Sequence, residues 1–188
     1  EAGAQRIHAF RAGSYAANAD TLAALAHAGL VADSSYNLCY DTTPRDSLGA
    51  SDGMLRSTEQ VTEFPITVFR DGFGRLRPAQ VGACSLGEMI GAMASAQQQG
   101  VSDFVIVSHN FEMLRPGTAE PDWVVVRRFD GLCAHLAAHP DRYQVQAGYL
   151  QACHARDVSI ASAPPTAMPQ STLVRHATDE LGSTRLVI

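Results

Sequence analysis

The run FVIVSH, residues 104–109, decides how this chain is read. Phe104, Val105, Ile106 and Val107 follow one another with no polar residue between them. A strand with no polar face has none to show to water, which is the pattern of a strand buried on both sides in a parallel sheet. Helical segments flank it. Residues 85–99 form one, with Ser85 placed to cap its start and Gly100 to end it. Residues 122–139 form the other, halted by Pro140. A buried strand between two helices is the repeating unit of an α/β fold.

The same alternation extends outward. Residues 7–11 read as a strand, 18–28 as a helix closed by Gly29, and 30–35 as a second strand. Residues 37–57 are a long polar stretch rich in Asp, Ser, Thr and Gly, read as a loop. In "VTEFPITVF", residues 61–69, Pro65 argues for an edge, a break or two short strands. Beyond the second helix, residues 143–146 read as a last short strand and 148–155 as a short helix. Residues 159–188 open on a Pro/Ser/Ala-rich segment and read as an irregular tail. Mostly parallel strands follow from this order, and a doubly wound sheet or a section of a β/α barrel both fit. No GxGxxG or GxxxxGK follows any strand, which argues against a nucleotide site.

Composition narrows the partners. The chain has 188 residues, 46% of them hydrophobic, enough for one domain with a substantial core. Its 14 basic residues, all arginine, and 19 acidic residues give a net charge of -5. No basic run tracks a phosphate backbone, so nucleic acid is not an expected partner. No apolar stretch approaches the roughly 20 residues of a membrane span. Cys39, Cys84, Cys133 and Cys153 form no CxxC pair and indicate neither a zinc knuckle nor a disulfide framework, which leaves the compartment open. The sequence starts at Glu1 and enters a strand within a few residues, so it reads as the later part of a longer protein. The first strand then needs a neighbour: a preceding half supplied as a separate polypeptide, a second copy of the chain, or the 159–188 tail.

Chemistry gathers where strands end. Arg11 follows the first strand, Asp33 with Ser34 and Ser35 ends the second, and His109 follows FVIVS. In parallel sheets the loops after the C-terminal strand ends converge on one face and bind ligands there. An aspartate can fix the tautomer of a histidine, and an arginine can grip a further carboxylate with two hydrogen bonds. Singly, Asp33 reads as a loop cap, Arg11 as a surface ion pair and His109 as a satisfied histidine; jointly they read as a site. "HLAAH" sets His135 and His139 at the i, i+4 spacing of many zinc helices. That pair lies in the last turn of its helix, where the dipole favours histidine, and it is read as structural.

Taken in order, "FRAGSY" (10–15), "GLVADSSYN" (29–37), "TEFPIT" (62–67) and "VIVSHNFEML" (105–114) resemble the second half of a polysaccharide deacetylase domain, the NodB-type carbohydrate esterase family 4. The resemblance implies a partial (β/α) barrel of mostly parallel strands over residues 1–158, with 159–188 as the tail. It implies hydrolytic removal of acetyl groups from N-acetylated sugars of a polysaccharide or oligosaccharide, with a divalent metal that is zinc in most members. Arg11 becomes the arginine that holds the catalytic-base aspartate, and the Ser14 backbone N–H a donor to the oxyanion. Tyr15 becomes a substrate contact, Asp33 the residue that orients His109, His109 the general acid, and Val107 part of the acetyl pocket. Gly13-Ser14 stands where many members have Pro-Tyr, and the tryptophan that often accompanies the Asp33 motif is missing. The metal-holding motifs, an Asp-Asp pair and His-Ser/Thr-x-x-His, belong ahead of Arg11 and are not in this chain, so no metal ligand is assigned and the chain by itself is expected to be inactive. The competing class is a non-enzymatic carbohydrate-binding or scaffold protein that keeps this rim without the metal.

Overall fold

A computed structural model describes residues 7–40, 56–57, 61–101, 103–146 and 184–187. The chain opens with β1 (Ala9–Phe10), α1 (Ala19–His27), β2 (Ala32–Asp33) and β3 (Arg56–Ser57). With β4 (Thr62–Glu63) the strands form a sheet of order β1-β2-β4-β3. β1, β2 and β4 run parallel, and β3 is antiparallel to β4. Pro65 interrupts the extended run, so "VTEFPITVF" becomes β4 and then β5 (Val68–Arg70), the two short strands that a proline at this position suggests.

The next element departs from the alternation expected of the sequence. β5 turns back through Asp71 to Arg75 into β6 (Leu76–Pro78), an antiparallel hairpin that, with the β3–β4 pair, interrupts a mostly parallel plan. Asp71 makes the turn, accepting from the N–H groups of Phe73 and Arg75 at 2.9 Å each, and Gly74 takes the left-handed φ of 78°. The chain then enters α2 (Leu86–Gln98), crosses to β7 (Asp103–Val105), passes through a 3-10 turn (Asn110–Met113) and builds α3 (Trp123–Ala138) and β8 (Tyr143–Gln146).

Another correction concerns the tail. Thr184–Val187 form β9, which lies between β7 and β8 and pairs parallel with both. β7 comes from an apolar run that needs partners along its edges, and β9 supplies one. That strand covers β7 rather than β1, which pairs only with β2 among the described residues. The helix read at 148–155, most of the 37–57 loop and the rest of the tail lie outside the described residues.

Backbone bonds stitch the separate ladders together. The Thr67 N–H donates to the Val105 carbonyl at 3.1 Å, the Val107 N–H to Ala79 at 2.9 Å, and the Val81 N–H to Val107 at 3.2 Å. The result is a mixed α/β structure with parallel strands, and no closed barrel among the described residues. No described helix is long and apolar enough to cross a membrane.

Two cores flank the strands. Phe69, Met89, Met93, Phe104, Ile106, Leu132 and Leu136 are buried where α2 and α3 cover the β7 side. Leu22 and Leu25 of α1 pack on Tyr36 and Val61 on the other. Each helix starts at a side-chain cap. Asn18 and Ser85 close reciprocal capping boxes with Thr21 and Glu88, and Asp122 accepts from Val124 and Val125. Replacing Ser85 by Ala should therefore lower stability by about 1 kcal/mol, and by Gly only a few tenths. Urea unfolding of the two variants checks this, and an unchanged stability in Ser85→Ala would show that the hydroxyl contributes nothing.

Candidate active-site rim

The register of β2 on β4 sets Asp33 directly beside Glu63. Paired residues of neighbouring strands project to the same face, so the two carboxyl groups meet side by side. Both are buried, at 0% and 1% exposure. Two adjacent buried carboxylates cannot both ionise. Burial, then the hydrogen bond to Asp33 and its charge, push Glu63 up to about 9, against the opposing pull of the Tyr36 N–H and the Arg11 guanidinium. Burial beside Asp33 thus favours the protonated form of Glu63 over a second adjacent charge.

Around this pair the strand exits are tied to one another. Ser35 Oγ donates to Asp33 Oδ1 at 2.7 Å and accepts from the Ala12 N–H at 2.9 Å. Tyr36 N–H donates to Glu63 Oε1 at 3.0 Å. Arg11 turns back onto the same segment, its Nε donating to the Ser34 carbonyl at 3.1 Å and its Nη2 to Ser34 Oγ at 2.9 Å. Ser34 Oγ in turn donates to the Phe64 carbonyl at 2.7 Å. Sequence reasoning names Arg11 and Asp33 and passes over Glu63. The signal for Glu63 is an acidic residue directly before the buried run Phe64–Ile66.

The turn after Arg11 is strained. Ser14 and Tyr15 are non-glycine residues at φ 53° and 56°, in the left-handed region that costs an L-residue about 1–2 kcal/mol. Exposed Ser14 directs its N–H to no acceptor among the described residues, and this is the N–H that the resemblance assigns to an oxyanion. Tyr15 packs against the buried cluster of Ala32, Phe64, Ile66, Val105 and Val107. Burial raises its phenol, while Asn37 and Arg11 pull it down and Tyr40 and Glu112 push it up, so Tyr15 lies within range of both the Arg11 and the Glu112 charges. Its ring stacks on Tyr40 at 5.2 Å between centroids.

His109 occupies the exit of the β7 segment, but Asp33 does not hold it. His109 Nδ1 is 3.0 Å from Glu112 Oε1. The expectation that Asp33 orients this histidine is corrected: β2 register sets Asp33 beside Glu63, and Ser35 donates to both of its oxygens, Oγ–H to Oδ1 at 2.7 Å and N–H to Oδ2 at 3.3 Å. Glu112 also accepts from Gln80 Nε2. Phe111, largely exposed, stacks on the imidazole with centroids 4.8 Å apart. Val107 is buried, 1% exposed, beside the bridge to Gln80.

The histidine pair of α3 does different work. His139 Nδ1–H donates to the His135 carbonyl at 2.8 Å, and the two rings lie 4.4 Å apart against Tyr143. Burial, with the charges of His139 and Arg142, lowers the pKa of His135. Among the described residues no group of three His, Cys, Asp or Glu side chains is arranged to hold a metal ion. No protein-family model matches the chain, and no curated protein or solved structure is significantly similar to it.

Two measurements test this rim. In the window from the ordinary glutamate value up to about 9, folded Glu63 keeps a proton that the unfolded chain has released. The unfolded state then binds fewer protons, so stability falls as pH rises through that window. Glu63→Gln keeps the acceptor for Tyr36 and offers Asp33 an N–H in place of the acid proton. Urea melts between about pH 5 and pH 9 should show wild type losing stability relative to this variant; a pH-independent difference would count against the protonated Glu63. Ser14→Gly should gain up to about 1 kcal/mol, because relief of the left-handed strain exceeds the backbone entropy of glycine. A loss of stability would show that the serine side chain contributes more than its backbone costs.

Proposed function

We propose that the chain carries the later motifs of a metal-dependent polysaccharide deacetylase, which hydrolyses the acetamide of N-acetylated sugars, within a partial (β/α) barrel. One observation carries most of this reading: Tyr15, just after β1, packs on the cluster that contains Val105 and Val107, so that the exits of β1 and β7 share one neighbourhood. Two motif segments far apart in sequence, residues 10–15 and 105–114, are thereby neighbours in space, as a shared reaction centre would require.

Each residue has a part that its chemistry permits. His109, partly exposed, is the proton donor for the departing amine. The Ser14 N–H is a preorganised donor to the oxyanion that forms on the acetamide carbonyl; donors fixed in advance of the charge give the largest stabilisation. Val107 and Tyr15 form the apolar wall for the acetyl methyl. Arg11 is fixed by Ser34 at the same rim, where a carboxylate from outside these residues would be its partner. The divalent metal of such an enzyme has to be held by residues other than those described, and no step is derived through it.

The coding sequence ahead of Glu1 discriminates. An Asp-Asp pair followed by His-Ser/Thr-x-x-His there supports the enzyme. With such a segment joined to residues 1–188, acetate release from N-acetylglucosamine oligosaccharides is expected, and none from residues 1–188 alone. His109→Ala in the joined protein should cut turnover by about 100-fold or more, with bound metal unchanged. Saccharide binding without acetate release would favour the binding-protein reading, and loss of metal in His109→Ala would mark the histidine as a ligand instead of an acid.

A further inference from the structure

Glu112 has no motif role in the resemblance, yet it is the best-constrained acid near the reaction centre. It comes three residues after His109, on the 3-10 turn Asn110–Met113, and this turn folds its carboxyl back toward the imidazole. The Glu112 N–H donates to the His109 carbonyl at 3.1 Å, so the same turn is closed by backbone and side chain. Glu112 is nearly buried, its side chain 13% exposed, whereas that of His109 is 39% exposed. One oxygen takes the imidazole and Gln80; the other, Oε2, is buried with no partner among the described residues.

Two residues of the neighbouring segment shape this seat. Gln80 bridges in parallel to Val107, which fixes its amide against the Glu112 carboxyl. Gly82 leaves the space: a Cβ there would lie 2.9 Å from Glu112 Oε2 and 3.0 Å from its Cδ. Any larger residue at position 82 must therefore displace the carboxyl. Three separate features, a turn, a side-chain amide and a glycine, converge on one carboxylate position, which is more than a surface ion pair needs.

We infer that Glu112 is the positioning residue for His109: it accepts the Nδ1–H, fixes the ring, and leaves Nε2 as the nitrogen that takes and gives the proton at the rim. A carboxylate on one ring nitrogen sets the tautomer and carries the compensating charge when the ring is protonated. The role of proton donor rests on the deacetylase reading; the tautomer rests on the His109–Glu112 geometry alone. Asp33, locked to Glu63, is free of that duty.

The experiment reads the tautomer directly, in the 188-residue chain, by two-bond nitrogen–proton NMR of labelled histidine at a pH where the His109 ring is neutral. His109 should show protonated Nδ1 and a bare Nε2. Glu112→Leu should lose that pattern in favour of the Nε2–H form, and Glu112→Gln, which keeps an acceptor oxygen, should restore Nδ1–H. Gly82→Ala, which leaves both side chains in place but crowds the carboxyl, should shift His109 in the same direction as Glu112→Leu. A wild-type His109 already in the Nε2–H form overturns the inference even if every variant fails to fold. So does an Nδ1–H signal that survives in folded Glu112→Leu. Either result leaves the acetate-release experiment untouched, and a chain that releases no acetate but shows the expected tautomer retains the Glu112 assignment.

Discussion

Two buried carboxyl groups, Asp33 and Glu63, set side by side by strand register, are the constraint on which the rim depends. β2 and β4 are each only two residues long, too short for backbone ladders to fix their register strongly. A slip of one residue would put Ala32 or Phe64 beside the wrong partner and leave Asp33 and Glu63 buried without each other. An unpaired buried carboxyl is costly in a way that a lost backbone bond is not. The acid pair therefore specifies the alignment, and Ser35, Tyr36 and Ala12 hang from it by further hydrogen bonds.

The second half of the rim is built by different means. His109 comes after a strand whose neighbours are supplied from four places: Thr67, residues 79–81, β9 and the turn that carries Glu112. Here the acid is matched to a base instead of another acid. One carboxyl pair fixes backbone register, and one carboxylate–imidazole pair fixes a side chain. Tyr15 packs on the cluster of Ala32, Phe64, Val105 and Val107, on a turn whose left-handed backbone stores strain.

Local chemistry is legible in the sequence. Ser85 caps its helix as capping preferences predict, Asn18 and Asp122 stand at the starts of the other two, and the apolar run around Phe104 is a buried strand. Arg11 and Asp33 stand out by their place at strand exits, and Tyr15 and Val107 through the family resemblance. What escapes is pairing. Glu63 reads as an ordinary polar residue of a strand until β2 is laid beside it, and Glu112 as an ordinary surface acid until the 3-10 turn folds it back on His109. The β5–β6 hairpin carries a visible signal, Asp71-Gly72 with Gly74 close behind, masked by the parallel alternation around it. β9 carries no such signal, because a four-residue strand near the end of the sequence is defined by the edges of β7 and β8 and by nothing in its own pattern.

The corrected pairing also changes how the acid residues must be ranked. An aspartate set beside a buried glutamate cannot be moved toward an imidazole without breaking a strand register, so its contribution is to architecture. A glutamate on a short turn has no such obligation. Its carboxylate is held by an amide on one side and by the absence of a Cβ on the other, both of which a substitution can alter without disturbing a strand. Residues placed for chemistry are thus those whose geometry is over-determined locally and whose loss the core would tolerate. By that criterion Asp33, Glu63 and Ser35 hold the frame, and the proposed chemistry falls to Ser14, His109 and Glu112.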